Sequence, residues 1–295
     1  MYLRGPLFQK RSLMRKFIIC LFVALLPISA FCQGHITTKK LKIADATSKT
    51  VKVVLTGSQF YDEILKEEVM TRWHISPFEF CTADEFETFK KSSDFYFLIN
   101  LILPEGKKDG PGINWLYFLK GGQEKDKEGI DGMLEVVSLP FCPAENANGR
   151  ELVFLPAFLD IIQDYTLSSM EDDKDGYGGL GVFACGLKKT SEMDLLMSEE
   201  DMSEEVKNIN FPEYNIIPAN EDESYGRMQD NAPQTLITYT VTADGAPAGT
   251  YCYKYIIDSG THTLHWFKKH KMTKKTGAGF QMMDIDLIRA ERKVW

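Results

Sequence analysis

Strand-like and helix-like segments alternate along residues 51–103, and this alternation constrains the fold more than any other feature of the sequence. A β-branched run at 51–56 and an apolar run at 94–103 are typical of buried strands. Between them lie an amphipathic helical pattern at 60–73, an extended segment, and a second helical pattern that opens with a capping-box sequence at 82–85. The order β-α-β-α-β predicts a parallel sheet with right-handed crossovers.

This layout resembles the amino-terminal domain of TolB and related envelope proteins. A lone strand, an amphipathic helix, a short strand, a second helix and a hydrophobic strand that begins with Asp94 and Phe95 follow one another over residues 51–103. The resemblance lies in the order of the elements rather than in a motif. It implies a scaffolding or partner-binding module rather than an enzyme, which is an expectation from fold alone.

The next segments predict additions to this sheet. Residues 113–120 and 133–139 are strand candidates separated only by turn residues, so we expect an antiparallel hairpin. A further strand is expected at 151–155, and Pro156 suits the first turn of the helix that follows. The acidic stretch at 191–207 has the apolar residues of a helix.

The C-terminal part of the chain predicts β-structure of a different kind. Residues 236–243 and 250–257 alternate apolar and polar side chains, and residues 264–269 return after a turn, as an antiparallel meander does. We therefore predict an α+β fold, with an N-terminal βαβαβ unit in a mixed sheet followed by an antiparallel β-meander. The predicted units are an α/β domain with a mixed sheet at 50–218, an exposed acidic linker at 219–233 and an antiparallel β-rich unit at 234–295.

Residues 1–32 have the order of a cleaved secretory signal peptide. They carry five basic residues and no acidic ones, followed by an apolar run of about ten residues, whereas a membrane span needs roughly 20. Cleavage is expected before Gln33; a lipoprotein acylated at Cys32 is the alternative, but it needs a small residue where the chain has a phenylalanine. Translation starts at Met1 or at Met14. The sequence predicts a periplasmic or secreted protein that meets the membrane only transiently.

The charge of the chain is negative and uneven. The formal net charge is −8, and loss of the five basic leader residues makes it −13. Residues 171–230 contain 16 acidic and 5 basic side chains, whereas residues 250–295 contain 9 basic and 4 acidic ones. Phosphate binding needs clustered Lys and Arg, so we expect no nucleic-acid partner. The basic patch at 268–275 is either an ordinary solvated edge or a surface for an acidic partner.

Two patterns near residue 175 suggest a ligand loop. Residues 176–181 match GxGxxG, but they follow a helix instead of a strand and have acidic neighbours, so we predict no dinucleotide or other cofactor. Glu171, Asp173 and Asp175 alternate as the ligands of a calcium loop do, but the twelfth position is Val182 rather than a bidentate carboxylate. They are weak calcium candidates, and a solvated acidic loop is the simpler interpretation.

Histidine and aspartate residues supply further catalytic or metal candidates. On a strand, an offset of three puts His262 and His265 on opposite faces, so these two and His270 share no metal ion without a bulge. Asp160 and Asp164 lie four apart on one helix face, either as paired catalytic carboxylates or as solvated charges. Solvated charges are the interpretation that we favour.

Four cysteines follow the leader. Export permits disulfides, and three pairings of two bridges are open, but no CxxC motif is present and buried free thiols are the alternative. Cys185 forms a nucleophile–base pair with His74, or with a C-terminal histidine, only if the fold brings the two together. The cysteines are Cys81, Cys142, Cys185 and Cys252.

Tyr251, Tyr253 and Tyr255 share one face of a predicted strand and are the binding candidates of the sequence. Tyrosine offers a large amphipathic contact area to a sugar or a partner, and inward packing is the alternative. No catalytic signature is complete, so we assign no catalytic residue. We predict a non-enzymatic envelope or surface module that binds an envelope protein or a glycan; the alternative is a hydrolase whose site is assembled from dispersed residues.

Overall fold

A computed structural model describes residues 38–106, 110–122 and 129–293, and the predicted leader lies outside them. In this part of the chain, the strands form two five-stranded mixed sheets. The strands are β1 Thr50–Val54, β2 Phe78–Cys81, β3 Phe95–Pro104, β4 Gly112–Lys120, β5 Leu134–Pro143, β6 Asp194–Ser198, β7 Ile217–Ala219, β8 Thr235–Thr242, β9 Tyr251–Asp258 and β10 Leu264–Lys271. The α-helices are α1 Lys39–Lys42, α2 Gln59–Arg72, α3 Ala83–Phe89, α4 Arg150–Glu171, α5 Asp173–Gly178, α6 Leu180–Phe183, α7 Phe211–Tyr214, α8 Glu221–Gln229 and α9 Met282–Arg292.

The first sheet has the strand order β2-β1-β3-β4-β5. Strand β1 is parallel to β2 and β3, and Val51 pairs with Phe78 on one side and with Tyr96 on the other. Strands β4 and β5 continue the sheet as an antiparallel hairpin. The capping box forms at the start of α3, where the Thr82 hydroxyl accepts from the Glu85 N–H and the Glu85 carboxylate accepts from the Thr82 N–H. The predicted βαβαβ order and hairpin are confirmed.

Helix α4 begins well before the position that the sequence indicates. The strand expected at 151–155 is wrong, because these residues form the first turns of α4 directly after Gly149, whose φ is 89°. Phe154, Leu155 and Phe158 are all fully buried. A helix with apolar residues on every side loses its 3.6-residue period, and a short piece of it looks like a buried strand. Within the described ranges, no helix is long and apolar enough to span a membrane.

The second sheet has the strand order β10-β9-β8-β6-β7 and is mixed. Strands β8, β9 and β10 form the expected meander, but β6 lies parallel to both β7 and β8 and extends it. The expectation of a purely antiparallel C-terminal sheet is therefore wrong. The helix expected at 191–207 is wrong as well, because Leu195, Leu196 and Met197 are buried on both faces of β6. A central parallel strand has a continuous apolar run instead of an alternation.

Residues 219–233, whose composition suggests a linker, contain helix α8. The Asn220 side chain accepts from the Glu223 N–H at 2.9 Å and caps this helix. Three acidic residues occupy its first turn, where the helix dipole favours negative charge. Ser224 and Met228 are buried, and Met228 belongs to the main hydrophobic core. The acidic composition thus reflects the exposed face of a packed helix.

The two sheets repeat one topology. In each sheet, the first strand along the chain lies between two parallel strands, and the last two strands continue the sheet in antiparallel pairing. The order β7-β6-β8-β9-β10 is therefore the same as the order β2-β1-β3-β4-β5. Helices α3 and α8 both connect the second strand of their sheet to the third, and helices α4 and α9 follow the last strand of each sheet. We call residues 50–171 the first repeat and residues 194–292 the second repeat. The 14-residue α2 has only two 3₁₀ turns and the four-residue α7 as its counterpart.

Helix α4 belongs to the first repeat but packs against both sheets. The ring of Phe158 lies 5.3 Å from that of Phe141 in β5, 5.5 Å from that of Tyr239 in β8 and 5.3 Å from that of Tyr255 in β9. The two tyrosine hydroxyls donate to main-chain carbonyls of β5, at Phe141 and Pro140, over 2.6 and 2.8 Å. Apolar burial with satisfied hydroxyls therefore joins the two repeats.

Candidate functional site

A cleft of about 310 Å³ lies where the two repeats meet. Helices α2 and α4 of the first repeat and helix α8 with the β9–β10 turn of the second repeat line it. One wall is apolar, and one end carries charged side chains. This volume is at the lower end of the range for small-molecule sites. The lining residues are Ile64, Glu68, Arg72, Leu152, Val153, Pro156, Met228, Gln229, Asn231 and His262.

The charged end of the cleft is a connected network, which we call the Arg72 cluster: Glu68, Arg72, Asp160 and His262. Arg72 Nε lies 3.0 Å from Glu68 Oε2, one helical turn away on α2. Arg72 Nη1 lies 3.1 Å from Asp160 Oδ2 on α4, and His262 Nδ1 lies 2.6 Å from the same oxygen. Both carboxylates therefore share one guanidinium, and Asp160 bridges Arg72 to the imidazole.

His262 reaches the cluster because its backbone adopts a left-handed conformation in the β9–β10 turn. Its φ is 58°, which is uncommon for a residue with a Cβ. Asp258 holds the turn: its carbonyl accepts from the His262 N–H at 2.8 Å, and its carboxylate accepts from the N–H groups of Gly260 and Thr261. Strained backbone that neighbouring groups enforce is found preferentially at functional sites.

The contact with Asp160 determines what His262 offers to the cleft. Nδ1 is the ring nitrogen beside the carboxylate, so it carries the hydrogen that Asp160 accepts, and Nε2 of the neutral ring has a lone pair. The side chain of His262 is almost fully buried, at 4% exposure. Across the described residues, Nε2 has no hydrogen-bond partner, and His262 lines the cleft. It presents an acceptor without a partner.

Neighbouring polar groups hold the Arg72 cluster in place. The fully buried Gln163 accepts from the His74 N–H at 2.8 Å and donates to the Arg72 carbonyl at 3.1 Å, so it ties the end of α2 to α4. Partial burial and the charge of Asp160 raise the pKa of Asp164, whereas His74 lowers it. For Asp160 and Asp164 the sequence favours solvated charges over a catalytic pair. Asp164 is exposed, whereas Asp160 joins the network.

Pro156 adds a main-chain acceptor to the same cleft. It lies inside α4, where a proline has no N–H to donate to the carbonyl four residues earlier. That carbonyl belongs to Leu152, which also lines the cleft. The apolar side chains of Val153 and Pro156 lie beside it. A free carbonyl next to an apolar wall is a place for a ligand that donates a hydrogen bond.

The cleft offers N–H donors from Arg72 together with acceptors from Glu68 and His262. The Asp160–His262 pair has the geometry of an oriented general base. The residues that line the cleft include neither a hydroxyl nor a thiol nucleophile. The geometry therefore fits ligand binding directly, and hydrolysis only if His262 activates a water molecule.

The structure places the three candidate tyrosines mainly in the core. Tyr253 and Tyr255 are buried; the first donates to Glu105 at 2.9 Å and the second to the Pro140 carbonyl. Burial raises the pKa of both hydroxyls, and the neighbouring Glu105 adds to the effect on Tyr253. Tyr251 is half-buried, with Lys269 Nζ 4.9 Å from its ring centre. The stripe packs against the first repeat rather than facing solvent as a whole.

The calcium candidates lie at and after the end of α4. Asp173 accepts from the Lys40 N–H at 3.0 Å, Asp175 accepts from the Ser168 hydroxyl, and Glu171 lies on the surface. The acidic loop expected here is the short helix α5 instead. In the ranges that the structure covers, no three His, Cys, Asp or Glu side chains are arranged to hold a metal ion.

The cysteines and the remaining histidines form no common site. All four cysteines are free; Cys185 is exposed, and the other three are buried. Burial raises the pKa of the Cys142 thiol to about 12, which makes it unreactive at neutral pH. A Cβ on Gly186 would lie 2.8 Å from His265 Nδ1, so the loop that carries Cys185 passes close to β10. His270 bonds to the Gly277 carbonyl at the far end of that strand.

A second ion pair joins the repeats and has no signal in the sequence. Arg150, at the start of α4, donates to both carboxylate oxygens of Asp201 at 2.8 and 2.7 Å, and its guanidinium stacks on the ring of Tyr239 at 4.5 Å. Asp201 also accepts from the hydroxyls of Thr238 and Thr240 at 2.6 and 2.7 Å. Burial opposes the charge, but Asp201 raises the pKa of Arg150 above its usual value. Arg150 Nε also lies 3.0 Å from Glu200 Oε1, so two carboxylates surround this buried guanidinium, and we assign the ion pair a structural role.

Comparison with models of protein families gives no match, and neither curated proteins nor solved structures match the chain. The fold and the site therefore define a class by their own features: an α+β protein of two repeats with a cleft between them. The resemblance of residues 51–103 to the amino-terminal domain of TolB stays a prediction from layout.

Proposed function

We propose that this chain is a non-enzymatic exported module of the cell envelope or cell surface that binds a partner through the cleft between its repeats. The observation that carries the proposal is the combination of an apolar wall with the Arg72 cluster at one end. Binding sites have this composition, with apolar area for affinity and a few oriented polar groups for specificity. Export rests on residues 1–32, which precede the described part of the chain.

Preorganisation supports the proposal. Both carboxylates of the Arg72 cluster are already engaged, the imidazole is oriented by Asp160, and Gln163 fixes the helix end behind them. A ligand that enters the cleft does not have to order these side chains, so little of its binding energy is lost to conformational entropy.

A variant pair tests this function. Val153→Trp places a large ring in the cleft, whereas Leu167→Trp adds the same ring at an exposed position of the same helix. Purified wild-type and variant chains are applied to arrays of peptides and glycans, and thermal melts report that each is folded. We expect ligands that bind wild type and Leu167→Trp but not Val153→Trp. Equal binding by all three proteins, or no binding at all, contradicts the proposal.

The second candidate function is hydrolysis, which the Asp160–His262 contact of 2.6 Å favours. An oriented imidazole can activate a water molecule without a protein nucleophile. Chromogenic ester, glycoside and peptide substrates test it. Turnover by wild type that is lost in His262→Ala and kept in Leu167→Trp would replace the binding proposal with a hydrolase.

A further inference from the structure

We propose that the cleft receives a basic side chain of a partner peptide, with the ammonium or guanidinium group at the Arg72 cluster and its methylene stem along the apolar wall. This inference rests on the proposed binding function and names the chemistry of its ligand. It follows from the hydrogen-bonding capacity, the charge and the shape of the cleft.

The charged end offers hydrogen-bond acceptors beside the N–H donors of Arg72. His262 Nδ1 contacts Asp160, and across the described residues Nε2 of this almost fully buried side chain has no hydrogen-bond partner. The Leu152 carbonyl lacks its helical partner because of Pro156. Glu68 uses one carboxylate oxygen for Arg72 and leaves the other free. A ligand group that satisfies all three must be a multiple donor, as an ammonium or a guanidinium is.

The charge balance of the Arg72 cluster favours the same ligand. Glu68 and Asp160 place two carboxylates on a single guanidinium, so the carboxylates outnumber the positive charge of Arg72. An anionic ligand would add a further negative charge to the same guanidinium, whereas a cation would balance the excess.

The apolar wall matches the stem of a long basic side chain. Ile64, Val153, Pro156 and Met228 are apolar side chains that line the cleft together with the charged Glu68 and Arg72. Lysine and arginine bury their methylene stems against apolar surface while the charged head reaches a polar partner. At about 310 Å³ the cleft is small for a ligand site, which suits one side chain better than an extended ligand.

Blocked tripeptides separate the ligand classes. We propose titrating acetylated and amidated Gly-Lys-Gly, Gly-norleucine-Gly and Gly-Glu-Gly into isotope-labelled protein at pH 8 and low ionic strength, and following the backbone amides of α2, α4 and α8 by NMR. The lysine peptide should shift the amides around Val153 and bind about tenfold more tightly than the norleucine peptide. The glutamate peptide should bind most weakly.

Two variants of α2 locate the interaction. Glu68→Gln removes the charge at the cleft and should abolish the preference for lysine over norleucine. Glu63→Gln removes the same charge from an exposed position outside the cleft, and should preserve that preference. Circular dichroism confirms that both variants are folded, and the norleucine peptide provides a second check on an intact cleft.

The outcomes distinguish a wrong ligand class from a wrong binding function. If the norleucine or glutamate peptide shifts the cleft amides as strongly as the lysine peptide, the preference for a basic side chain is wrong, but the cleft is still a binding site. A lysine preference that survives Glu68→Gln overturns the assigned position of the charge. If no peptide shifts the cleft amides, both this inference and the proposed binding function fail.

Discussion

Replacing Asp201 with asparagine measures how much the buried Arg150–Asp201 pair contributes to folding. Asp201 is fully buried, and Arg150 is 5% exposed. The substitution keeps the shape of the side chain and removes its charge. The amide nitrogen of asparagine then faces a guanidinium N–H, so two donors oppose each other where a donor and an acceptor had paired.

The expected loss of stability follows from the contacts that the substitution breaks. One of the two charged hydrogen bonds to Arg150 is lost outright and the other is weakened, and each such bond contributes about 1.5–3 kcal/mol. Removing one partner of a buried ion pair costs about 3–5 kcal/mol. Glu200 Oε1, which lies 3.0 Å from Arg150 Nε, compensates part of the remaining charge and keeps the loss below the top of that range. We expect Asp201→Asn to lower the free energy of unfolding by about 4 kcal/mol, a large part of the roughly 5–15 kcal/mol of a typical domain.

A second substitution tests how much of the lost stability comes from the unpaired charge of Arg150. In the double variant Arg150→Met with Asp201→Asn, both charges of the pair are removed, methionine packs beside the ring of Tyr239, and the partly exposed Glu200 loses its contact with Arg150 Nε. The asparagine oxygen still accepts from a threonine hydroxyl of β8. We expect the double variant to recover most of the loss and to lie within about 2 kcal/mol of wild type.

Urea unfolding at neutral pH, followed by circular dichroism, measures both effects, and a constant m-value shows that the transitions are comparable. Glu204→Gln is the control: it breaks the exposed Lys207–Glu204 pair at 2.7 Å and should change the stability by less than about 0.5 kcal/mol. A loss below about 1 kcal/mol for Asp201→Asn, or a double variant less stable than that single one, would refute the reasoning.

Two further predictions concern the pH dependence of folding and a close backbone contact. Burial opposes the charge of Asp45, but hydrogen bonds from Lys120 and Tyr96 outweigh it and hold its pKa to about 2. Asp45 therefore stabilises the fold above the pKa of the unfolded chain. Asp45→Asn should cost about 1 kcal/mol at neutral pH, a difference that disappears as the pH falls from about 4 to about 2 in urea titrations; a constant loss contradicts this. Gly279 has a φ of 84°, and a Cβ there would lie 2.6 Å from the Asp201 carbonyl, so Gly279→Ala should lower the melting temperature by several degrees. Gly277→Ala, with open space around it, should not, and equal melting temperatures for the two variants refute the clash.

Local signals were enough to predict much of the first repeat and the end of the second. The capping box at Thr82 and the β-branched run at 51–56 specify their elements through nearest neighbours alone. The alternation in β8 and the Asp-Gly turn after it likewise depend on neighbouring residues. Strands β1 and β8 are largely buried on both faces, so β-branched composition, alternation and flanking turn residues identified them rather than a solvated face.

Two other buried elements were predicted as the wrong type. Strand β6 and the first turns of α4 have apolar residues at successive positions, and periodicity alone does not separate a buried strand from a buried helix. The central strand was predicted as a helix and the helix as a strand for the same physical reason. The repeated topology was not predicted, because its clearest sign would be a second crossover helix as long as α2. The corresponding segment of the second repeat contains only the short α7.

The candidate site illustrates a different limit of the sequence. His262 and Asp160 were each singled out as titratable candidates, but they lie 102 residues apart, and no local pattern brings them together. Their contact depends on α4 packing against both sheets and on the left-handed turn at His262. Arg72, which joins them, has no sequence signal beyond its spacing from Glu68 on α2.

The division of the cleft between the repeats bears on why the chain carries two of them. Glu68, Arg72 and Asp160 belong to the first repeat, whereas Met228 and His262 belong to the second. Neither repeat alone contains the apolar wall together with an oriented imidazole. Because the second repeat has no long crossover helix, helices α8 and α4 cover that face of its sheet. The short α8 ends beside the cleft. The cleft therefore needs residues of both repeats, and a single copy of this fold would lack it.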